Sequence, residues 1–302
     1  MATDSLAIGL IGAGRIGRLH AKHLAHQIPR ADLRAIGDVS AEAAQACAAD
    51  CRVDHVETDY RRVLDDRHVQ AVVICTPTDT HARLVEEAAA AGKHIFCEKP
   101  IAHAVSDIDR ALEAVRRAGV ALQVGFNRRF DPNFARVRKA IAGGEIGEPH
   151  LMHIISRDPD PPPIEYIKSS GGIFLDMTIH DFDMARFLMG SEITEVYANA
   201  GVRVDAAIGQ AGDLDTALIL LKFANGAMGA IDNSRKAVYG YDQRVEVFGS
   251  GGLIHAGNNY PNSAVISDSK TVRRDLPLNF FMERYTESFL AEMRSFVSCV
   301  QN

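Results

Sequence analysis

Several things are scarce or missing in this 302-residue chain, and each absence removes a class of function. There are five cysteines, an odd number with no framework spacing and no CxxC pair. Cys47 and Cys51 fall in an Ala-rich helical stretch, and Cys75 and Cys97 end apolar strands, so reduced thiols are expected rather than disulfides or a zinc site, and no metal. No apolar run reaches the ~18 residues that a membrane helix needs. Positive charge is not in excess: 33 Lys and Arg face 39 Asp and Glu, for a net charge of −6. The basic pairs Arg61-Arg62, Arg116-Arg117, Arg128-Arg129 and Arg273-Arg274 are scattered, which argues against a nucleic-acid partner. No basic leader with a cleavable apolar segment precedes the first strand-like run at 6–11, so the expected location is cytoplasmic. There is no internal repeat and no low-complexity tract.

The length suits two domains better than one. Over the first ~120 residues, short β-branched or apolar runs (6–11, 32–39, 69–75, 94–97, 120–124) alternate with helical spacing (15–27, 41–49, 80–91, 106–118). This βα order predicts a doubly wound parallel sheet, a Rossmann domain, over 1–123. After Gly125 the pattern changes. A helix at 132–142, a strand at 150–155, a proline-rich loop at 158–163 and a helix near 174–189 are followed by strand after strand between 195 and 266. Asn225-Gly226 between two of them marks a hairpin. A final amphipathic helix covers 280–300. Residues 124–302 therefore read as an α+β domain with a large, mainly antiparallel open sheet.

Gly12-Ala13-Gly14-Arg15-Ile16-Gly17 follows the first strand and opens the first helix. In that context the first glycine permits the sharp turn, the second lets backbone approach a pyrophosphate, and the third lets helix pack on strand. Asp38 ends the second strand 21 residues beyond Gly17. A carboxylate there accepts from an adenosine ribose diol and repels a 2′-phosphate, which favours NAD over NADP; it also reads as a turn aspartate beside Ser40. The loop Thr76-Pro77-Thr78-Asp79-Thr80-His81 follows another strand, where ligands of open α/β sheets lie, and is expected to border the nicotinamide half. Thr76, Pro77, Thr78 and His81 join the cofactor residues on that ground, although a helix-capping turn explains the same loop.

Glu98-Lys99-Pro100 closes the strand at 94–97. A lysine beside a nicotinamide polarises a hydroxyl that is losing a hydride. Asp176 and His180, four apart in LDMTIHDFDM, share a helix face with few wholly polar neighbours. Alcohol oxidation needs a base for the hydroxyl proton, and histidine titrates near neutrality. A structural Asp–His pair remains the alternative.

With these segments in hand, the chain resembles the glucose–fructose oxidoreductase/inositol dehydrogenase/rhizopine-catabolism (Gfo/Idh/MocA) family over nearly its whole length. The segments are 12–17, 76–81, 96–100 (FCEKP), 125–131 (GFNRRFD), 156–163 (SRDPDPPP), 171–180 (GGIFLDMTIH) and 239–242 (YGYD). EKP marks the broad family; GFNRRFD and SRDPDPPP point to its inositol branch. The resemblance implies NAD-dependent oxidation of the axial C2 hydroxyl of myo-inositol to 2-keto-myo-inositol in inositol catabolism. Lys99 would hold the reacting oxygen, His180 take its proton, and Asp176 bind a neighbouring hydroxyl. Arg128, Asp158 and Tyr241 would contact further ring hydroxyls, and Glu98, Lys99 and Arg128 complete the cofactor contacts. It also implies a homotetramer covering the open sheet face, to which Val196, Val202, Leu218, Leu220 and Val247 are candidates, and a longer tail beyond Asn302 returning to the first domain. Two alternatives stay open: a dehydrogenase for scyllo-inositol, chiro-inositol or an aldose, and a non-catalytic NAD-binding regulator on the same fold. Ser156 and Asp158 stand where some members carry His and Asn.

Overall fold

The computed structural model of the chain describes residues 5–302. They form two compact units, one running through Asn127 and resuming with Phe289–Asn302, the other spanning Arg128–Ser288.

The first unit is built on strands β1 (Leu6–Ile11), β2 (Ala31–Gly37), β3 (His55–Glu57), β4 (Ala71–Ile74), β5 (His94–Cys97) and β6 (Leu122–Val124). They pair in parallel in the order β3-β2-β1-β4-β5-β6. Helices α1 (Arg15–His26), α2 (Ala41–Cys51), α3 (Tyr60–Asp65), α4 (Thr78–Ala90) and α5 (Val105–Ala118) alternate with them. Every residue of β1 and β4 is buried, which is why these strands read as unbroken apolar runs. Alternate side chains feed two cores. Leu6, Ile8, Leu10, Ala71 and Val73 meet Leu24 and Cys47, whereas Val72 and Ile74 meet Leu84, Val85 and Val115. Helix stops follow local chemistry: Gly119 ends α5 in a left-handed conformation at φ 66°. Strand β3 and helix α3, capped by the Asp59 side chain, were not legible in the sequence, because a three-residue strand has no period to read.

The second unit holds α6 (Pro132–Ala142), β7 (Pro149–Arg157), α7 (Ile164–Ile167), α8 (Ile179–Met189), β8 (Ile193–Gly201), α9 (Ala206–Gln210), β9 (Thr216–Phe223), β10 (Met228–Ser234), β11 (Asp242–Gly249), β12 (Gly252–Ala256) and α10 (Phe281–Arg284). Its six-stranded sheet has the order β12-β11-β7-β10-β9-β8. All neighbours are antiparallel except β7 and β10. Strict alternation separates its faces. Ala217, Ile219, Leu221 and Phe223 of β9 are buried while Leu218 and Leu220 are half exposed. Leu218 and Leu220 thus lie on the open face with Tyr197, whereas Val196, exposed on the edge strand, pairs with Leu221 on the other face, where Val247 is fully buried.

The last helix, α11 (Thr286–Gln301), differs from the linear reading, which assigned everything after 123 to the second domain. Its Met293, Phe296 and Val297 complete the core that holds Ile8, Leu24 and Phe96, so the first unit is discontinuous in sequence. Replacing Phe296 by Ala is expected to cost the first unit about 3–5 kcal/mol, as for a fully buried aromatic. Urea unfolding followed by first-unit probes measures it; an unchanged midpoint would remove α11 from that core.

Candidate active site

The strand order reverses between β1 and β4, and ligands of such sheets lie beyond the carboxyl ends at that point. The Gly-rich turn sits there. Gly12 has φ +98°, and a Cβ on it would fall 2.6 Å from the Cys75 carbonyl. A Cβ on Gly17 would fall 1.9 Å from the Gly12 oxygen, so only glycine lets α1 pack so closely on β1. A Cβ on Gly14, by contrast, would meet nothing within 4 Å. Gly14 is the cap of α1, exposed, with no side chain capping the helix. Arg15 and Ile16 are the first helical residues. Open space before uncapped amides is what a pyrophosphate requires, so these residues fit a dinucleotide.

Asp38 lies just past β2. Its Oδ2 accepts from the Ala13 amide at 2.6 Å and its Oδ1 from the Ser40 amide at 2.8 Å. These contacts are those of the turn aspartate. It braces the glycine turn, and a carboxylate has about four acceptor sites, leaving some for a ribose.

The loop after β4 is tied to itself and to the Lys99 turn. Thr76 Oγ1 and Thr80 Oγ1 lie 2.6 Å apart, and Thr80 donates to the Pro77 carbonyl at 2.7 Å. Helix α4 starts at Thr78, two residues earlier than its spacing predicts. His81, expected at the cofactor, is buried with Nε2 2.7 Å from the Thr76 carbonyl and Nδ1 2.8 Å from the Pro100 carbonyl. Both ring nitrogens face backbone, so His81 links two loops of the site through its own chain. Glu98 and the partly exposed Lys99 follow β5, and a cis peptide joins Lys99 to Pro100. The Glu98 carboxylate turns inward, 2.8 Å from His20 Nε2.

In the second unit, the segment predicted as one helix from 174 has two windings. Phe174–Thr178 is π-helical and α8 begins at Ile179. Side chains bind backbone and polar groups at both ends of this turn. The Thr178 hydroxyl approaches the Ile173 carbonyl (3.3 Å) and donates to Asn233 Oδ1 (2.6 Å), while Asp213 takes the Ile173 amide (2.9 Å). Asp176 sits in this π turn, and His180 is the second residue of α8; both are half-buried. Single-turn π insertions recur at functional sites. Asp176 receives a separate donor on each oxygen: Tyr166 Oη at 2.8 Å on Oδ1 and Arg235 Nη1 at 3.1 Å on Oδ2.

Arg235 was not foreseen. It is fully buried and divides its guanidinium between Asp176 and Asp213, the latter at 3.0 Å. The available signal was the inward register after β10, where Asn233 and Arg235 continue positions occupied by Gly229 and Ile231. Arg128 is buried in an ion pair with Asp181 at 2.6 Å, and Asn233 donates to the other oxygen of Asp181 at 2.8 Å. Burial opposes the charge of Arg128, but Tyr285, Asp181, Tyr241 and Asp158 outweigh it and raise its pKa. Tyr241, buried and edge-on to Tyr285 with ring centroids 6.0 Å apart, is pushed well above the usual phenol range by burial. Asp158 has its pKa pushed up to about 6, first by burial and then by Asp176, against the pull of Arg128 and Arg235. Arg128, Asp158, Asp176 and Tyr241 thus belong to one electrostatic neighbourhood. Lys99 belongs to the first unit and His180 to the second.

Residues 6–126 match the model described as "Oxidoreductase family, NAD-binding Rossmann fold". With the glycine turn built for a pyrophosphate, this defines the protein as an NAD-binding oxidoreductase. Residues 134–255 match the GFO/IDH/MocA C-terminal domain. The chain belongs to the Gfo/Idh/MocA family. It is 49% identical over 297 residues to a myo-inositol 2-dehydrogenase of Thermotoga maritima, covering 98% of this chain and 89% of that one. A Thermotoga maritima crystal structure described as a probable dehydrogenase superposes with TM-score 0.96 at 50% identity, covering 98% of this chain and 89% of that one. The scyllo-inositol dehydrogenase of Lactobacillus casei, solved with NAD(H) and scyllo-inositol, superposes with TM-score 0.91 at 29% identity, covering 98% and 89%.

The raised Asp158 pKa has a definite sign. Protonation favours the fold fully below the unfolded value, near pH 4, and that contribution is lost as pH rises through about 6. Asp158→Asn is therefore expected to be stabilised relative to wild type at pH 8, by about 1–3 kcal/mol, with the difference vanishing near pH 4. Thermal melts across this range check it; a difference independent of pH would place Asp158 outside the cluster.

Proposed function

We propose that the protein is an NAD-dependent inositol 2-dehydrogenase of the cytoplasm, oxidising the axial C2 hydroxyl of myo-inositol to 2-keto-myo-inositol in inositol catabolism. The observation that carries this reading is Asp176, held by separate donors on its two oxygens in a π turn that leads straight into His180. NAD, when bound along Gly12–Gly17, Asp38 and the 76–81 loop, supplies the hydride acceptor. Lys99 donates to the reacting oxygen and stabilises its developing negative charge. His180 removes the hydroxyl proton as general base. Asp176 accepts from a neighbouring hydroxyl and fixes the ring, since Tyr166 and Arg235 leave it acceptor capacity. Asp158, Arg128 and Tyr241 serve the remaining hydroxyls.

A second reading has its own support. The scyllo-inositol complex of the Lactobacillus casei relative favours an isomer in which all hydroxyls are equatorial. Assay of myo-, scyllo- and chiro-inositol and aldoses with NAD and NADP separates the two; turnover of none of them by the NAD-loaded protein would leave only the regulator. Lys99→Ala is expected to keep NAD binding and lose at least about 10²-fold in kcat, and near-normal turnover refutes its role. Asp38→Ser is expected to raise the NADP/NAD ratio of kcat/KM by about tenfold or more; an unchanged ratio removes Asp38 from cofactor choice.

The open face of the second sheet carries Tyr197, Leu218, Leu220 and Met228, each at least half exposed. We assign this apolar face to contact with another copy of the chain within a homotetramer. Light scattering at micromolar concentration tests it: a monomer refutes the assignment.

A further inference from the structure

Behind Lys99 the first unit buries a second set of titratable groups. His20 of α1, Glu98 after β5 and Glu292 of α11 bring their ligand atoms within 4.8 Å of one another. His20 and Glu292 are fully buried. Neither oxygen of Glu292 and not Nδ1 of His20 has a hydrogen-bond partner among the described residues. The surroundings are aromatic: the His20 ring meets Phe96 and Phe289 edge-on at 5.2 and 5.9 Å, and Phe96 meets Phe296 at 5.9 Å. Gly125 makes room for Glu98, because a Cβ there would fall 2.9 Å from Glu98 Oε2.

Two carboxyl groups this close in an apolar setting cannot both ionise cheaply. Burial, then the Glu98 charge, drives the Glu292 pKa well upward. The other titratable groups on the packed elements supply no cation to Glu292. Cys75 and Cys97 are held as neutral thiols by burial. His23 is depressed to about 4 by burial, by His20 and by Arg294. Gln123 donates to the Glu292 backbone carbonyl, not to its side chain. A divalent ion would also neutralise the cluster. However, His20 Nε2 and Glu98 Oε1 stand at 2.8 Å, in direct hydrogen-bond contact, whereas bonds of ~2.1 Å in a tetrahedral site set ligand atoms ~3.4 Å apart.

We propose that Glu292 carries a proton in the working enzyme, meeting the Glu98 carboxyl as a neutral, polar group rather than a like charge, and that His20, at hydrogen-bond distance, holds that carboxyl, so that Lys99, the next residue, is presented correctly beyond β5. His20 and Glu292 are then positioning residues for Lys99. This rests on the assignment of Lys99 to the reacting oxygen.

The test compares Glu292→Gln, Glu292→Leu, His20→Asn and wild type. Infrared difference spectra at neutral pH are expected to show the carbonyl stretch of an un-ionised carboxylic acid in wild type and its loss in Glu292→Gln; no such band in wild type overturns the proposal. Glu292→Leu and His20→Asn are expected to lower kcat about tenfold or more with the NAD Kd within about twofold, while Glu292→Gln, a neutral near-isostere, restores kcat to within about threefold of wild type. If Glu292→Leu does not fold, the comparison stands on Glu292→Gln and His20→Asn. Normal kcat in His20→Asn, or Glu292→Gln as impaired as His20→Asn, overturns it. So does a stoichiometric divalent metal in wild type by elemental analysis. Failure of the Lys99 assignment shows separately, as unimpaired turnover by Lys99→Ala, because the infrared band does not depend on Lys99.

Discussion

Charge taken out of water has to be paired, and that necessity organises the second unit. Arg128, Arg235 and Arg284 are all buried, and each faces a carboxylate: Asp181, Asp176 with Asp213, and Asp131. Removing one partner of such a pair leaves an uncompensated buried ion, at a cost of about 3–5 kcal/mol. The pairs therefore lock together segments distant in sequence. Arg235, just past β10, fixes the π turn through Asp176 and, through Asp213, the loop whose carboxylate holds the Ile173 amide. Arg128 and Asn233 do the same for Asp181 at the start of α8. The side chains assigned to the substrate inherit their geometry from this lattice.

The same lattice separates the carboxylates by chemistry. Asp176 has a phenol and a guanidinium on its oxygens, while Asp158 lies among charges of both signs and has its carboxyl pushed up to about 6, chiefly by burial. Pushing neighbouring acids into different environments is how one site assigns them different tasks. In the first unit, the glycine turn, Asp38 and His81 secure backbone rather than charge, in keeping with a surface that meets a pyrophosphate.

How much of this was legible in the sequence depended on distance along the chain. The Gly12–Gly17 turn was readable because Gly12 and Gly17 answer to contacts made within one strand–turn–helix segment and its neighbouring loop. Asp176 and His180 could be singled out as a pair because their spacing is local, whereas the π winding at Asp176 has no short-range signature. Arg235 escaped because the inward register after β10 does not by itself mark a buried arginine without its two aspartates in view. The His20, Glu98 and Glu292 cluster escaped for the same reason, being drawn from three elements. The parallel pairing of β7 with β10 and the membership of α11 were likewise set by packing, where no short-range pattern registers. Most other elements fell within a few residues of their expected limits, because alternation and helical spacing record which face is buried.

That α11 completes the core of the first unit bears on how the chain is made. During synthesis the six parallel strands emerge well before Met293, Phe296 and Val297. The apolar groove these side chains fill stays uncovered while the whole of the second unit is translated. Domains generally fold as units, and exposed apolar surface on an unfinished one invites aggregation. The nucleotide domain thus begins before the second unit and is completed only after it, and the nascent protein depends on α11 to close the surface that β1 and its neighbours create.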